Sequence, residues 1–258
     1  MMKLTGLNTQ RLGRSFFWFD RLDSTNTYLL ERGNTLPGGT AVAAGQQTAG
    51  RGRLGRPWQG GGEDSLAFSV LMRDLPAQVL PLLPLLCGLS AAQALEELTG
   101  SAPQLKWPND LLLAKKKVAG ILCECRGEGG ETWAVCGIGL NLRQPQAYFE
   151  ENQLPHAGSV ALCCGRAPGR EEFACAYLNR LEENLDRCAR EGFAALLPAY
   201  ERRCVNLGRM VELHRPSGVE TALCVGVGRD GALLCRRDGE VFSVQAGEVS
   251  VRGLWGYV

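Results

Sequence analysis

Nine residues decide how this chain can be wound. Gly50-Arg51-Gly52-Arg53-Leu54-Gly55-Arg56-Pro57-Trp58 satisfies the G-x-G-x-x-G pattern of a dinucleotide-binding turn, which would demand a doubly wound parallel sheet. That fingerprint needs its third glycine to open a helix whose N-terminus faces pyrophosphate. Here Pro57-Trp58-Gln59 runs into Gly60-Gly61-Gly62, and each glycine weakens a helix by about 1 kcal/mol. A P-loop is excluded too, because neither Lys-Ser nor Lys-Thr follows the last glycine. The stretch is therefore a loop with guanidinium groups spaced by glycine. It reads either as a clamp that orders around polyphosphate through charge-assisted hydrogen bonds, or as a solvated loop whose arginines touch nothing. An RNA-binding tract fits less well, since there is one short copy without repeats or exposed aromatics. The 28 Lys+Arg against 27 Asp+Glu give a net charge of +1 and no basic footprint for nucleic acid.

With the Rossmann reading gone, the segments around the loop set the fold class. "SFFWFDRL" reads as a strand, and Asp23-Ser24-Thr25-Asn26 as a helix start whose oxygen-bearing side chains cap the first amides. "GTAVAAGQQ" is a strand entering the arginine loop and "SLAFSVLM" a strand leaving it; a helix ending "CGLSAAQALEELTG" closes at Gly100. "QLKWPND" and "LLLAKKKVAGILCECR" suggest two strands around a lysine-bearing turn, and "TWAVCGIGLNL" a further buried strand. Five or six strands with few helices predict an α+β sheet. Residues 144–159 read as a polar surface loop, and 170–204 as helix, with Phe173, Tyr177, Leu181 and Leu185 at helical spacing. Beyond that come short strands punctuated by Gly, Asp and Pro, from "RMVELH" to "EVSVRGL", which predict a small β-barrel. The expected division is 1–205 for the larger unit and 206–258 for the barrel.

The 11 cysteines are scattered, without a C-x-x-C pair and with only two His beside them. A zinc site is not expected, and most thiols, such as Cys123, Cys136, Cys175 and Cys224, read as small hydrophobes in a reducing cytoplasm. The uncharged run Leu75–Leu95 is long enough to suggest a membrane span. Pro76, Pro81 and Pro84 break it, so a buried helix is expected and no membrane partner. The first residues lack the apolar core of a signal peptide.

A second constellation follows the loop. Lys106-Trp107-Pro108-Asn109-Asp110 sets a cation, an indole and two polar side chains at one strand end, and Lys117 opens a strand continuing into "VAGIL". Gly120 in that strand would let a ligand approach the backbone. Lys115-Lys116-Lys117 taken alone reads as solvated surface, and Trp107 alone as core.

Taken together, the segments resemble biotin protein ligases over nearly the whole chain. The family pattern is found in order: Asp23 to Asn26, Gln47 to Trp58, Lys106 to Asp110, Lys117 to Leu122, and Gly-x-Gly-x-Asn from Gly137 to Asn141. The resemblance implies a mixed-sheet catalytic domain like that of class II aminoacyl-tRNA synthetases, with an SH3-like C-terminal barrel. It implies formation of biotinoyl-5′-AMP and pyrophosphate from biotin and ATP with Mg²⁺, then transfer to one lysine of a biotin carboxyl carrier protein domain. Carried over by motif, Ser24, Thr25, Gln47 and Gly120 would hold biotin, while Arg51, Arg53 and Lys117 would meet its carboxylate and perform catalysis. Arg53, Arg56, Trp58, Asn109, Asp110 and Asn141 would serve ATP, with Asn109 and Asp110 near its Mg²⁺ and no permanent metal site. A second ligand-ordered loop falls at 144–159 with no single residue matched.

About fifteen residues precede the first strand, too few for the helix-turn-helix some relatives carry, so no DNA partner is expected. Many family members pair through the central sheet, so a homodimer is possible. The rival within the fold is a lipoate ligase or lipoyl transferase, against which the arginine clamp and "KVAGIL" stand. A small RNA-binding module and a biotin sensor without catalysis are the non-enzymatic rivals.

Overall fold

A computed structural model of the chain describes residues 2–60, 62–215, 218–246 and 250–253. The larger sheet is built from β1 (Phe16–Leu22), β2 (Ala41–Gln47), β3 (Ser65–Arg73), β4 (Gln104–Lys106), β5 (Asp110–Leu113), β6 (Lys116–Glu128) and β7 (Glu131–Asn141). They lie in the order β1-β2-β3-β7-β6-β5-β4. β1 and β2 are parallel and every other pair is antiparallel. The architecture is α+β, as the strand pattern predicts, with seven strands in this sheet rather than five or six. The extra strand comes from Lys106–Asp110, where the Trp-Pro-Asn turn, with a cis Trp107-Pro108 bond, separates β4 from β5.

Period-two alternation explains where the open site lies. Along β3 and β7, Phe68, Val70, Ala134, Cys136, Ile138 and Leu140 face one way and join the main core. That face is covered by α2 (Leu83–Thr99), which is itself covered by α5 (Arg170–Glu191). On the opposite face Leu71, Val135 and Trp133 pack under Leu29 of α1 (Thr25–Arg32). Further along the same face the bulky residues run out: Ala67, Ser69, Gly137 and Gly139 follow, and a cleft opens.

The apolar stretch Ala77–Thr99 is long and apolar enough to span a membrane by composition alone. Here a 3-10 turn over Ala77–Leu82 leads into α2, whose residues from Leu83 to Ala94 are almost all buried against the sheet and α5. Helix α5 buries Phe173, Tyr177, Leu181 and Leu185, as their spacing predicts. The expected helical run to Cys204 is interrupted at Gly192 and resumes as α6 (Leu197–Glu201), because a positive-φ glycine and then Pro198 break the hydrogen-bond ladder. Residues 144–159 are not all loop: α3 (Gln146–Glu151) forms inside them, and α4 (Val160–Cys164) follows.

The C-terminal residues form a five-stranded antiparallel sheet in the order β11-β10-β9-β8-β12, from β8 (Met210–Arg215), β9 (Gly218–Val227), β10 (Leu233–Arg237), β11 (Glu240–Val244) and β12 (Ser250–Gly253). Of the expected strand "EVSVRGL", residues Glu248, Val249 and Leu254 lie outside the described residues. The two sheets share one core, with Leu213, Cys224 and Cys235 in the cluster that holds Phe68 and Leu105.

Candidate active site

The cleft is a cavity of about 700 Å³ above the small-residue stretch of β3, β7 and β6. Ser24 caps α1 by accepting from the Thr27 amide, which fixes the next two side chains at the cavity wall. The Thr25 amide donates to Gln47 Oε1 at 2.8 Å, and Thr25 Oγ1, 3.0 Å from the same oxygen, makes its shorter contact of 2.6 Å with Ser69 Oγ. Asn26 continues the chain of contacts: Ser69 donates to its Oδ1 at 2.7 Å, while its Nδ2 donates to the Leu122 carbonyl and to Glu124 Oε2. This wall is a satisfied, buried polar network, which holds its groups in one arrangement before any ligand arrives. Gly137 is required beside it, because a Cβ there would overlap the Asn26 side chain.

The arginine loop lies across the opening. The Gly52 amide donates to Arg56 O at 2.7 Å and the Trp58 amide to Gly50 O at 2.9 Å, so the loop doubles back on itself. Leu54 sits at its tip with φ 56°. Arg53 reaches inward, donating to Asn109 Oδ1 at 3.1 Å and to the Ala246 carbonyl. Burial pulls the Arg53 guanidinium below its ordinary pKa, with Asp110 opposing the shift. Arg51 pairs with Glu124 at 2.8 Å, and Arg56 is exposed at the rim. Trp58 lies flat over the strands where Gly139 leaves room: a Cβ at that position would overlap the indole.

Lys117 closes the other side. Its Nζ lies 2.6 Å from Asp110 Oδ1 and 5.7 Å from the centre of the Trp58 ring. The Lys117 amide donates to His156 O, and Gly158 N donates to Lys117 O, which ties residues 156–158 along the start of β6. Asn141 secures the same segment, donating to Gly158 O at 3.2 Å and accepting from Gln144 Nε2 at 3.0 Å.

The sequence profile of the biotin/lipoate A/B protein ligase family matches residues 18–141. The bifunctional ligase/repressor BirA of Escherichia coli is 33% identical over 235 residues, which cover 90% of this chain and 72% of that protein. The biotin–acetyl-CoA-carboxylase ligase of Paracoccus denitrificans is 34% identical over 241 residues, or 90% of this chain and 99% of that one. The chain belongs to the biotin protein ligase family. The fold agrees: the biotin protein ligase from Aquifex aeolicus in complex with biotin and ATP superposes with a TM-score of 0.79 at 32% identity, covering 93% of this chain and 99% of that one.

Every residue that the ligase motifs single out lines this one cavity: Ser24, Thr25 and Gln47 at one end, Arg51, Arg53, Arg56 and Trp58 from the loop, and Asn109, Asp110, Lys117, Gly120 and Asn141 along the floor. The motifs do not foretell all of the lining. Ser69, Leu154, His156, Ala157, Val251 and Arg252 also reach it, brought by register and by the second sheet from stretches with no local signature. Trp107 lines the cavity yet is 1% exposed, and its indole donates to the Gly231 carbonyl at 3.0 Å, so it is mainly core.

Lys106 carries the motif's first cation and has no role in the sequence reading. It is 6% exposed, and burial brings its pKa from 10.5 to about 8, with Asp110 pulling the other way. The folded ligase therefore releases this proton at lower pH than the unfolded chain does. Below about pH 8 the cost of the buried ammonium is fully present, and between about 8 and 10.5 the unfolded chain binds more protons, so this group makes stability rise with pH. Lys106→Met keeps the stem without the charge. Urea midpoints followed from pH 7.5 to 10.5 are expected to climb more for the parent than for the variant; parallel curves would show that this ammonium is not strained by burial.

Proposed function

We propose that this chain is a biotin protein ligase that activates biotin with ATP to biotinoyl-5′-AMP and pyrophosphate, then passes biotin to a lysine of a biotin carboxyl carrier protein domain. The observation that carries the reading is the meeting of all five motif segments on one cavity, where Arg51, Arg53, Arg56, Lys106 and Lys117 stand among small residues and Trp58. Attack of a carboxylate on the α-phosphate brings two anions together and adds charge to the phosphoryl oxygens, so fixed cations there stabilise the transition state more than the separated reactants. Lys117 and Arg53 both line the cavity, and we assign them that task. No nucleophilic side chain is needed, because the substrate carboxylate attacks first and the acceptor amine second.

In this reading the Ser24–Thr25–Gln47 wall takes the ureido end of biotin, with Gly120 beside it, and Trp58 packs against the adenine. Arg51, now on Glu124, exchanges that carboxylate for the one on biotin. Asn141, engaged on both sides of its amide, borders the nucleotide chiefly by holding residues 144–158 in place. Among the described residues that line the cavity only Asp110 bears a carboxylate, and Asn109 precedes it in the chain. That donor set suits a Mg²⁺ delivered with the nucleotide and keeping most of its waters, since Mg²⁺ is commonly held by one or two carboxylates plus phosphates. We extend the proposal to a ligase unit over 1–205, a C-terminal unit over 206–258 and a cytoplasmic setting, in keeping with the free thiols.

The deciding measurement is pyrophosphate exchange with labelled ATP and Mg²⁺, biotin and lipoate being supplied in turn. Biotin is expected to drive exchange and lipoate not; the reverse outcome would make the chain a lipoate ligase. Because the adenylate is hydrolysable, the arginine loop has to exclude water as it closes. Protease cleavage between Arg51 and Arg56 is expected in the free protein and suppressed by biotin plus ATP. Equal cutting with and without ligands would count against closure.

A further inference from the structure

Scattered cysteines without paired spacing give no sign of a metal site in sequence, yet folding gathers three of them. Cys87 on α2, Cys123 on β6 and Cys136 on β7 place their sulfurs all within 4.8 Å of one another. Cys123 and Cys136 are register partners across the two strands, and Cys87 meets them from the helix that covers this face. Cys87 and Cys136 are fully buried, whereas Cys123 is partly exposed and gives the cluster a path to solvent. A fourth group points the same way. Tyr177 on α5 is fully buried, its hydroxyl has no hydrogen-bond partner, and the groups it faces are the sulfurs of Cys87, Cys136 and Cys123.

We propose that Cys87, Cys123 and Cys136 form a binding site for one thiophilic divalent cation of the Zn²⁺ class, with the Tyr177 hydroxyl donating to a coordinated sulfur. Three thiolates are a soft donor set that selects such ions over Mg²⁺. Zinc–sulfur bonds of about 2.3 Å put the sulfurs about 4 Å apart, so the cluster needs only a small contraction. On binding, three S–H bonds break, three metal–sulfur bonds form and three protons leave to solvent. The product carries one net negative charge, which the buried phenol O–H stabilises by a charge-assisted hydrogen bond. Packing alone needs only small apolar side chains at these places; it gives no role to a phenol aimed unpartnered at three sulfurs.

The location gives the ion a purpose independent of the ligase reaction. Leu122 and Gly137, the chain neighbours of Cys123 and Cys136, face the opposite side of the sheet and line the substrate cavity, where Asn26 holds the Leu122 carbonyl. An ion joining β6, β7 and α2 would brace the rear of that wall. It would raise stability in the absence of biotin or ATP.

The test uses the reduced full-length protein titrated with Cd²⁺ and followed by thiolate-to-metal charge-transfer absorption, with Zn²⁺ as competitor. One ion per chain is expected, with proton release, a raised melting temperature and displacement by Zn²⁺. Tyr177→Phe is expected to weaken binding about 10- to 100-fold, as loss of a group bonded to a metal ligand does. Cys123→Ala, the replacement at the partly exposed position, is expected to remove the three-sulfur band, while Cys224→Ala in the second sheet keeps it. Should Cys123→Ala fail to fold, alkylation of the parent with and without Cd²⁺ replaces it, with Cys87, Cys123 and Cys136 protected together. Absence of a band in the parent, a band unchanged in Cys123→Ala, or protection of other cysteines instead would overturn the site.

Discussion

Lys117→Ala is expected to slow biotin-dependent pyrophosphate exchange about 30- to 1000-fold, corresponding to about 2–4 kcal/mol of lost transition-state stabilisation. The ammonium lies beside the Trp58 ring, and its 2.6 Å contact with Asp110 keeps it over the cavity floor. Removing it deletes a cation aimed at the phosphoryl oxygens and also leaves the Asp110 carboxylate facing incoming phosphate. The two effects are separable. Because Asp110 is also the carboxylate proposed for Mg²⁺, Asp110→Asn is the reference: if the loss came only from the uncovered carboxylate, Lys117→Ala would cost nothing more in that background, whereas a direct role leaves the double variant slower than Asp110→Asn alone. The loss should fall on kcat more than on KM, since the cation acts most strongly on charge that develops in the transition state. Exchange by Lys117→Ala at the parent rate would remove this residue from the mechanism.

The position of Lys117 shows what local sequence can and cannot say. The turn before it follows from the lysine-rich break between apolar runs, and Ala114 and Lys115 take the positive-φ conformations of a tight hairpin. That Lys117 shares a cavity with Arg53, some sixty residues earlier, depends on the register that sets β5 against β6 and on the loop folding back on itself across the opening. The period-two alternation of β3 and β7 is visible in "SLAFSVLM" and "AVCGIGLNL", including the small residues that leave the cleft open. Visible too are the cap at Ser24 and the close of α2 at Gly100. His156 and Arg252 are invisible in the sequence, because they arrive from the turn between α3 and α4 and from the second sheet, where no spacing rule connects them to the motifs. The three-thiol cluster is hidden for the same reason: its members come from a helix and two strands, and only their side-chain parity, read with the packing of α2, brings the sulfurs together.

The other large effect is expected at Trp107, which the sequence, taken alone, reads as core. Its indole is 1% exposed and donates to Gly231 O at 3.0 Å, while its backbone amide donates to Asn206 Oδ1 at 2.8 Å. Two bonds thus fasten the Trp-Pro-Asn turn to the C-terminal residues, beside the edge where the Leu105 amide and carbonyl pair with Arg203 and Val205. Truncation of a buried aromatic of this size costs about 3–5 kcal/mol through lost burial and the cavity left behind. Trp107→Ala should therefore lower the urea midpoint steeply. Trp107→Phe keeps much of the ring but leaves the Gly231 carbonyl without its donor, a penalty of about 1–3 kcal/mol. The ordering parent, Phe, Ala is the expected outcome of urea denaturation. Catalysis should suffer as well, since Asn109, two residues on, is the acceptor that holds Arg53 over the cavity. A Trp107→Ala protein as stable as the parent would mean that this indole does not join the catalytic sheet to the C-terminal one. Arg53 would then have to be held by its contact with Ala246 rather than by the turn.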